Sequence, residues 1–369
     1  MSSAFAGFFH GARALARLCD PDLLLRFPTA ETLWPQAPLG GGLFDRLPLS
    51  KERVRVRLAD GRARELELAW RSCDRADPRA PTIVLIPGLG DSAETFRILV
   101  EALAPIARLV LVDPPGFGRS ELWPTREAFR AEVLRDALRE LVVQRGWNRP
   151  STILLGNSLG GALALGIVAA LGPRNRIGRL VLLAPAAFPQ ELSFWIRAQR
   201  LPAHAAFAHW VPKRMLAAVA LCASVGDPRC VARESVQDLV RHLERPYGLR
   251  AFQHLARDLA RLCREARRGR NNILSALVPK CARTRARRSS GERVPLEVLL
   301  LHGDRDRVVP AWVAERLERE MPRVERHCWS GVGHLPQLER PFEVAVAVQR
   351  FLERTAAESA AEGDAAAAG

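Results

Sequence analysis

Hydrophobic positions along the chain follow two rhythms. In Val54–Leu58 and Glu65–Trp70 apolar residues alternate with charged ones, the period of a half-buried strand, and the Asp60-Gly61 pair between them predicts a hairpin turn. Thr82–Ile86, Leu109–Val112, Thr152–Leu155, Leu180–Leu183 and Val298–Leu301 are instead continuously apolar over a strand's length, as strands are when both faces of a parallel sheet are covered. Arg326–Trp329 predicts a last strand. Between these runs lie Thr95–Ala104, Thr125–Arg145, Leu159–Leu171 and Ala311–Glu320, of helical length and period, with Pro310 near the start of the last. Strand alternating with helix predicts an α/β fold, a mostly parallel sheet with helices on both faces.

The alternation breaks once. From Ala187 to Arg293 the chain offers helical stretches at Leu192–Arg200, Val231–Arg245 and Ala251–Arg267 but no buried strand, and the sheet resumes at Leu296. The expected organisation is therefore an extension over residues 1–50, a first part of the core over 51–186, an inserted helical cap over 187–293, a second part of the core over 294–354, and a disordered Ala/Glu/Gly-rich tail over 355–369. The extension carries an amphipathic pattern, with Phe5, Phe8, Phe9, Ala12 and Leu15 on one side and His10, Arg13 and Arg17 on the other. No internal repeat is visible.

Charge changes the picture of the insertion. The net charge is +15, and 21 Arg and Lys stand against 8 Asp and Glu within residues 187–293, so nearly all the excess sits in one segment. Such a segment reads either as a solvated Arg-rich loop (Arg283, Arg285, Arg287, Arg288, Ser289, Ser290) or as a dock for an acidic partner, an anionic lipid or an acyl carrier protein. No aromatic residues interleave with the charge, which argues against nucleic acid. The seven cysteines form no CxxC pair, the pattern of reduced thiols rather than of a disulfide framework or zinc site. No secretory signal and no apolar run of spanning length are present, so a cytoplasmic protein is expected, with the Phe-lined N-terminal helix as a candidate peripheral membrane contact.

Gly156-Asn157-Ser158-Leu159-Gly160 fits G-x-S-x-G, directly after a buried strand and at the head of an apolar helix. A nucleophile elbow needs that setting, because its strained turn requires small residues two positions either side of the serine. If Ser158 is a nucleophile, it requires a base, an acid and an oxyanion hole. His334, in a Gly-flanked loop after the last strand, is the candidate base. Asp306 follows strand Val298–Leu301 and is the candidate acid, giving the chain order Ser158, Asp306, His334. The backbone N–H groups of Leu89, beside Gly88, and of Leu159 are the candidate oxyanion donors. Other titratable residues read as structural: His302 as a strand-end packing residue, Asp113 as a loop-ordering carboxylate, and His204, His209, His242 and His254 as cap residues without metal-ligand spacing. No P-loop or GxGxxG is present, so no nucleotide cofactor is implied, and no metal site is expected.

With IPGLGDSAETF (86–96), DPPGFGRS (113–120), GNSLGG (156–161), GDRDRVVP (303–310) and GHLPQLERP (333–341), the chain resembles α/β-hydrolase-fold enzymes with a helical cap over roughly residues 80–350. The resemblance implies Asp306 rather than Asp304 as the acid, since the family's acid sits three residues after the loop glycine. Many relatives carry His before the oxyanion glycine, where this chain has Pro87. A serine at the elbow resembles esterases, lipases and thioesterases and not the epoxide- or halide-processing relatives, which use Asp there. The expected reaction is hydrolysis of a carboxylic ester or thioester through an acyl-enzyme on Ser158. Alternatives on the same triad are C–C bond hydrolysis of ring-cleavage products, weakened by GLGDSA and Leu335 where those enzymes carry a GPGA-like loop and Trp, and acyltransferase or perhydrolase chemistry. A non-catalytic binding role is the remaining alternative. Acyl-chain length and oligomeric state stay open.

Overall fold

The structure, a computed structural model, describes residues 42–58, 60–121, 129–190, 192, 196, 210–270, 273–288 and 291–368. Its strands are β1 (Leu49–Arg57), β2 (Ala63–Cys73), β3 (Thr82–Ile86), β4 (Arg108–Val112), β5 (Thr152–Asn157), β6 (Arg179–Leu183), β7 (Arg285–Arg287), β8 (Arg293–Pro295), β9 (Glu297–Gly303) and β10 (Val324–Trp329). The principal helices are α1 (Arg97–Leu103), α2 (Ala131–Gln144), α3 (Leu159–Leu171), α4 (Lys213–Ser224), α5 (Arg233–Glu244), α6 (Gly248–Arg267), α7 (Ile273–Arg283), α8 (Trp312–Glu320) and α9 (Pro341–Ala368). Eight strands form one sheet in the order β1-β2-β4-β3-β5-β6-β9-β10. The β1–β2 and β2–β4 pairs are antiparallel and the others parallel.

Two covered faces explain the continuous apolar runs. Ile83, Leu85, Ile153, Leu155, Leu299 and Leu301 belong to one buried cluster with Leu99 and Leu103 of α1 and Val344, Val348 and Phe351 of α9. Their neighbours Val84, Ile86, Leu154, Val298 and Leu300 belong to the other, with α2, α3 and α8. Successive side chains of a strand point to opposite faces, so both faces must be apolar at every position. At the sheet edge the expected hairpin forms with Val54 opposite Leu66, and Gly61 turns the chain with φ +83°.

Cap helix α6 joins the second cluster through Leu255, Leu259, Leu262 and Cys263. It also caps a core helix: the Ala131 N–H donates to Asp258 Oδ2 at 3.1 Å, so α2 begins there. Arg245, after α5, donates to the carbonyls of Gly118 and, at 3.0 Å, Ser120 in the DPPGFGRS loop.

Three expectations need correction. The segment 187–293 is not cap throughout. Leu277, Val278 and Cys281 of α7 are buried against the core, and Cys281 Sγ donates to the Leu165 carbonyl of α3 at 3.3 Å. Pro279 inside this helix blurred its period. Second, the segment holds short strand β7, which pairs with β8 and whose Arg287 N–H donates to Asn175 O at 2.9 Å; three residues with one buried side chain carry no readable alternation. Third, residues 355–368 continue α9 instead of lying disordered. Alanine has the highest helix propensity, and extending an existing helix avoids the cost of a nucleus.

The N-terminal amphipathic segment, His204, His209, Ser289, Ser290 and most of Leu192–Arg200 lie outside the described residues. Residues 43–46 form one helical turn, in which the buried Phe44 ring sits beneath the guanidinium groups of Arg71 and Arg97, 5.2 and 4.6 Å from its centroid.

Candidate active site

Ser158 stands where central strand β5 turns into α3, with φ +53° and ψ −116°. A residue with a side chain rarely adopts that backbone, and holding it costs about 1–3 kcal/mol. Its surroundings over-determine it. The Ser158 N–H donates to Leu183 O at 2.9 Å, and its carbonyl accepts from the N–H groups of Ala162 and Ala186 at 3.2 and 3.0 Å. The flanking glycines leave no room for more: a Cβ at Gly160 would lie 2.1 Å from the Ile86 carbonyl oxygen, and one at Gly156 would lie 2.3 Å from that of Gly160.

The loop after β3 lies against this turn. A Cβ at Gly88 would stand 3.3 Å from Ser158 Cβ, which places the next amide, Leu89, beside the serine. Neither the Leu89 nor the Leu159 N–H makes a hydrogen bond among the described residues, so both expected oxyanion donors are unengaged. Phe252 of α6 covers the other side of this loop, its ring 2.8 Å from where a Gly90 Cβ would stand.

Asp306 and His334 are brought together, with His334 Nδ1 2.8 Å from Asp306 Oδ2. The other carboxylate oxygen accepts from the Val308 and Val309 N–H groups at 2.7 and 2.8 Å. Burial alone would push the Asp306 carboxyl up, but the charge and hydrogen bond of His334, with the Val309 amide, outweigh it and hold the group below its ordinary value. An ionised Asp306 accepts only, so it fixes the His334 proton on Nδ1 and leaves Nε2 as a base. Asp304 does a different job: its oxygens accept from the Gly331 N–H at 2.8 Å and the Ser330 hydroxyl at 3.0 Å, tying down the loop that leads to His334. His302 is fully buried behind the pair, with Nε2 3.1 Å from the Val309 carbonyl, and burial pushes its imidazole below the ordinary histidine range. It packs against the Asp306 loop, as a strand-end residue.

The serine and histidine segments are joined through Asn157, whose buried Nδ2 donates to both Leu183 O and His334 O at 3.1 Å. The Ser158 hydroxyl makes no hydrogen bond among the described residues. Asn157 was not singled out by sequence, although its place inside the elbow motif marked it. Asp113 orders two loops as expected, accepting from the Ala93 and Arg119 N–H groups at 2.8 Å; burial, with Glu94 nearby, pushes its carboxyl up to about 7.

Beside the elbow, an almost wholly apolar cavity of about 50 Å³ lies between α3 and cap helix α6. Leu159, Ala162, Gly166, Phe188, Leu259 and Leu262 are among its walls. Four arginines of the basic segment form ion pairs within it. Arg261 pairs with Asp258 and Glu265, Arg229 with Asp227, Arg241 with Asp238, and Arg288 with Glu292.

A mostly parallel eight-stranded sheet with this turn at the end of its central strand, and a helical insertion after β6, is the α/β-hydrolase fold. The chain belongs to the alpha/beta hydrolase family, whose model matches residues 83–348. Among solved structures it is similar to 2-hydroxy-6-oxo-6-phenylhexa-2,4-dienoate hydrolase from a Rhodococcus strain (TM-score 0.63, 20% identity, 83% of this chain and 99% of that one). It is likewise similar to a thermophilic esterase from Thermogutta terrifontis (TM-score 0.59, 18% identity, 82% and 98%). A bacterial membrane phospholipase A aligns with TM-score 0.57 and 21% identity over 82% and 86% of the two chains. At these identities the likeness is one of fold. No helix among the described residues is long and apolar enough to cross a membrane.

Proposed function

We propose that this hydrolase cleaves a carboxylic ester or thioester through an acyl-enzyme on Ser158. The observation that carries the reading is the Asp306–His334 contact of 2.8 Å, tethered to the serine turn by Asn157. In the acylation step His334 Nε2 takes the Ser158 hydroxyl proton as Oγ attacks the carbonyl carbon, and the Leu89 and Leu159 N–H groups hold the resulting oxyanion. Collapse expels the alcohol or thiol, which receives the proton from His334. Water, deprotonated by the same nitrogen, then attacks the acyl-enzyme and releases the acid.

The cavity supports an apolar acyl chain as the part of the substrate that is recognised. It starts at Leu159 and Ala186 beside Ser158 and follows α3 to Gly166, two helical turns away, or about 11 Å. Docking of an anionic lipid surface or an acidic carrier protein rests on the segment's 21 basic against 8 acidic residues.

Hydrolysis of p-nitrophenyl esters from acetate to palmitate, by the wild type and Ser158→Ala, tests the reading. Activity peaking at one chain length and lost in the variant is expected. No activity above the variant on any chain would overturn it, and a ring-cleavage diketone assayed in parallel decides the C–C alternative.

A further inference from the structure

The His334 loop is held from two sides. One is the core, through Asp306 and Asn157. The other is the cap, through the turn that follows α4. The His334 N–H donates to the carbonyl of Ser224, the last residue of α4, at 2.6 Å. Two residues on, the Gly226 N–H donates to Glu339 Oε2 at 2.8 Å. The same carboxylate accepts from the Gly333 N–H, 2.9 Å from Oε1 and 3.1 Å from Oε2. One side chain thus spans the residue before the candidate base and the cap turn. The joint is tight: a Cβ at Gly226 would stand 2.1 Å from the Gly331 carbonyl oxygen, and one at Gly333 would stand 2.4 Å from the Gly226 nitrogen. A small apolar cluster seals it, with Leu221 and Val225 from the α4 side against Leu335, which follows His334.

We propose that Glu339 is the positioning residue of His334, and that through it the α4–α5 part of the cap sets the orientation of the imidazole. This rests on the acyl-transfer reading for its kinetic consequence but not for its geometry. Glu339 touches no reacting atom. A carboxylate receiving backbone N–H groups from two segments fixes their separation, and His334 sits one residue from one of them. Burial pushes the Glu339 carboxyl above its ordinary value, against the amides of Gly226, Gly333, Leu335 and Asp227, which favour its charge.

The test uses the full chain with Glu339→Gln, Glu339→Ala and Gly226→Ala. Displacing a catalytic group by about 1 Å costs up to about 100-fold, so Glu339→Ala is expected to lower kcat by about 10- to 100-fold with KM within about twofold. Glu339→Gln, which keeps one acceptor oxygen, should fall between it and the wild type. Gly226→Ala, whose methyl meets the Gly331 carbonyl oxygen at 2.1 Å, pushes on the same joint from the cap side and should lower kcat as well; the nearly isosteric Glu339→Gln decides the matter if the alanine variants do not fold. In a His334→Ala background the Glu339→Ala loss should vanish, because a positioning effect needs the group it positions. An undiminished loss in that background, or a loss confined to KM, overturns the proposal. If the wild type proves to hydrolyse no ester, the functional reading falls but this one is still decided, by the NMR resonances of the His334 ring: their displacement in Glu339→Ala supports it, and unchanged resonances overturn it.

Discussion

Replacing Asp306 by Asn keeps the side chain's shape and changes only what it donates and accepts. In the wild type one oxygen accepts from two N–H groups, Val308 at 2.7 Å and Val309 at 2.8 Å, and the other from His334 Nδ1 at 2.8 Å. Asparagine has a single oxygen. Left with the two backbone donors, where it satisfies more hydrogen bonds, it turns its NH₂ toward His334 Nδ1. That nitrogen must then be the acceptor, the ring proton moves to Nε2, and the base loses the lone pair it needs for the Ser158 proton. Loss of the correct tautomer costs on the order of 10,000-fold in kcat in triads of this kind, about 5.5 kcal/mol at about 1.36 kcal/mol per decade. The shape is preserved, so the melting temperature should change little. Asp304→Asn is the internal control: it retains an oxygen for the Gly331 N–H, and the Ser330 hydroxyl turns to meet an amide, so its loss should stay below about tenfold. Initial rates on the best p-nitrophenyl ester, with each variant's thermal melt, decide it. A deficit under tenfold for Asp306→Asn, or a larger one for Asp304→Asn, would refute the assignment of the acid.

Gly160→Ala places a methyl against backbone carbonyls at 2.1 and 2.5 Å that cannot rotate away, so it should destabilise by about 1–3 kcal/mol or more in urea denaturation and abolish activity; an unaltered midpoint would contradict the packing of the Ile86–Gly88 loop on α3. Gly166→Leu fills the cavity floor beside Arg135 and Leu277 and should move the ester preference to shorter chains, whereas an unmoved optimum would separate the cavity from the acyl group. His242 packs on Phe117 with both ring nitrogens unpartnered among the described residues, and burial, with Arg245 beside it, pushes its imidazole down to about 4. The unfolded chain therefore takes up a proton that the folded one refuses, and stability should fall by up to about 3 kcal/mol as the pH drops from about 6.5 to 4. Asp113 and Asp91, pushed up to about 7 and about 6 by burial, act in the opposite sense. The diagnostic quantity is therefore the stability of the wild type minus that of His242→Leu, which should fall toward acid pH whatever its sign at pH 7; a difference constant from pH 7 to 4.5 would refute the account.

The core strands were legible because two apolar faces leave no polar position inside a run, as Ile83 and Val84 illustrate by facing opposite clusters. The serine turn was legible because its glycines answer to local sterics. Helix α7 was not, since Pro279, Lys280 and Arg283 mask a face that only α3 reveals as buried. Nor was the role of Glu339. Its partners are the N–H groups of Gly226 and Gly333, and a backbone donor leaves no trace in residue type. Asn157 falls between: it lies in the motif, but its reach to the His334 carbonyl is a tertiary fact.

Leu259, Leu262 and Cys263 of α6 line the cavity and belong to the same buried cluster as α2 and α3. The surface that would sort substrates is therefore also the cement between cap and core. Trimming one of these leucines to widen the cavity would cost about 2–5 kcal/mol, a large share of the roughly 5–15 kcal/mol that keeps a domain folded. A descendant exploring bulkier substrates would have to acquire compensating stability first, and the order in which its mutations could accumulate is constrained by this single shared wall.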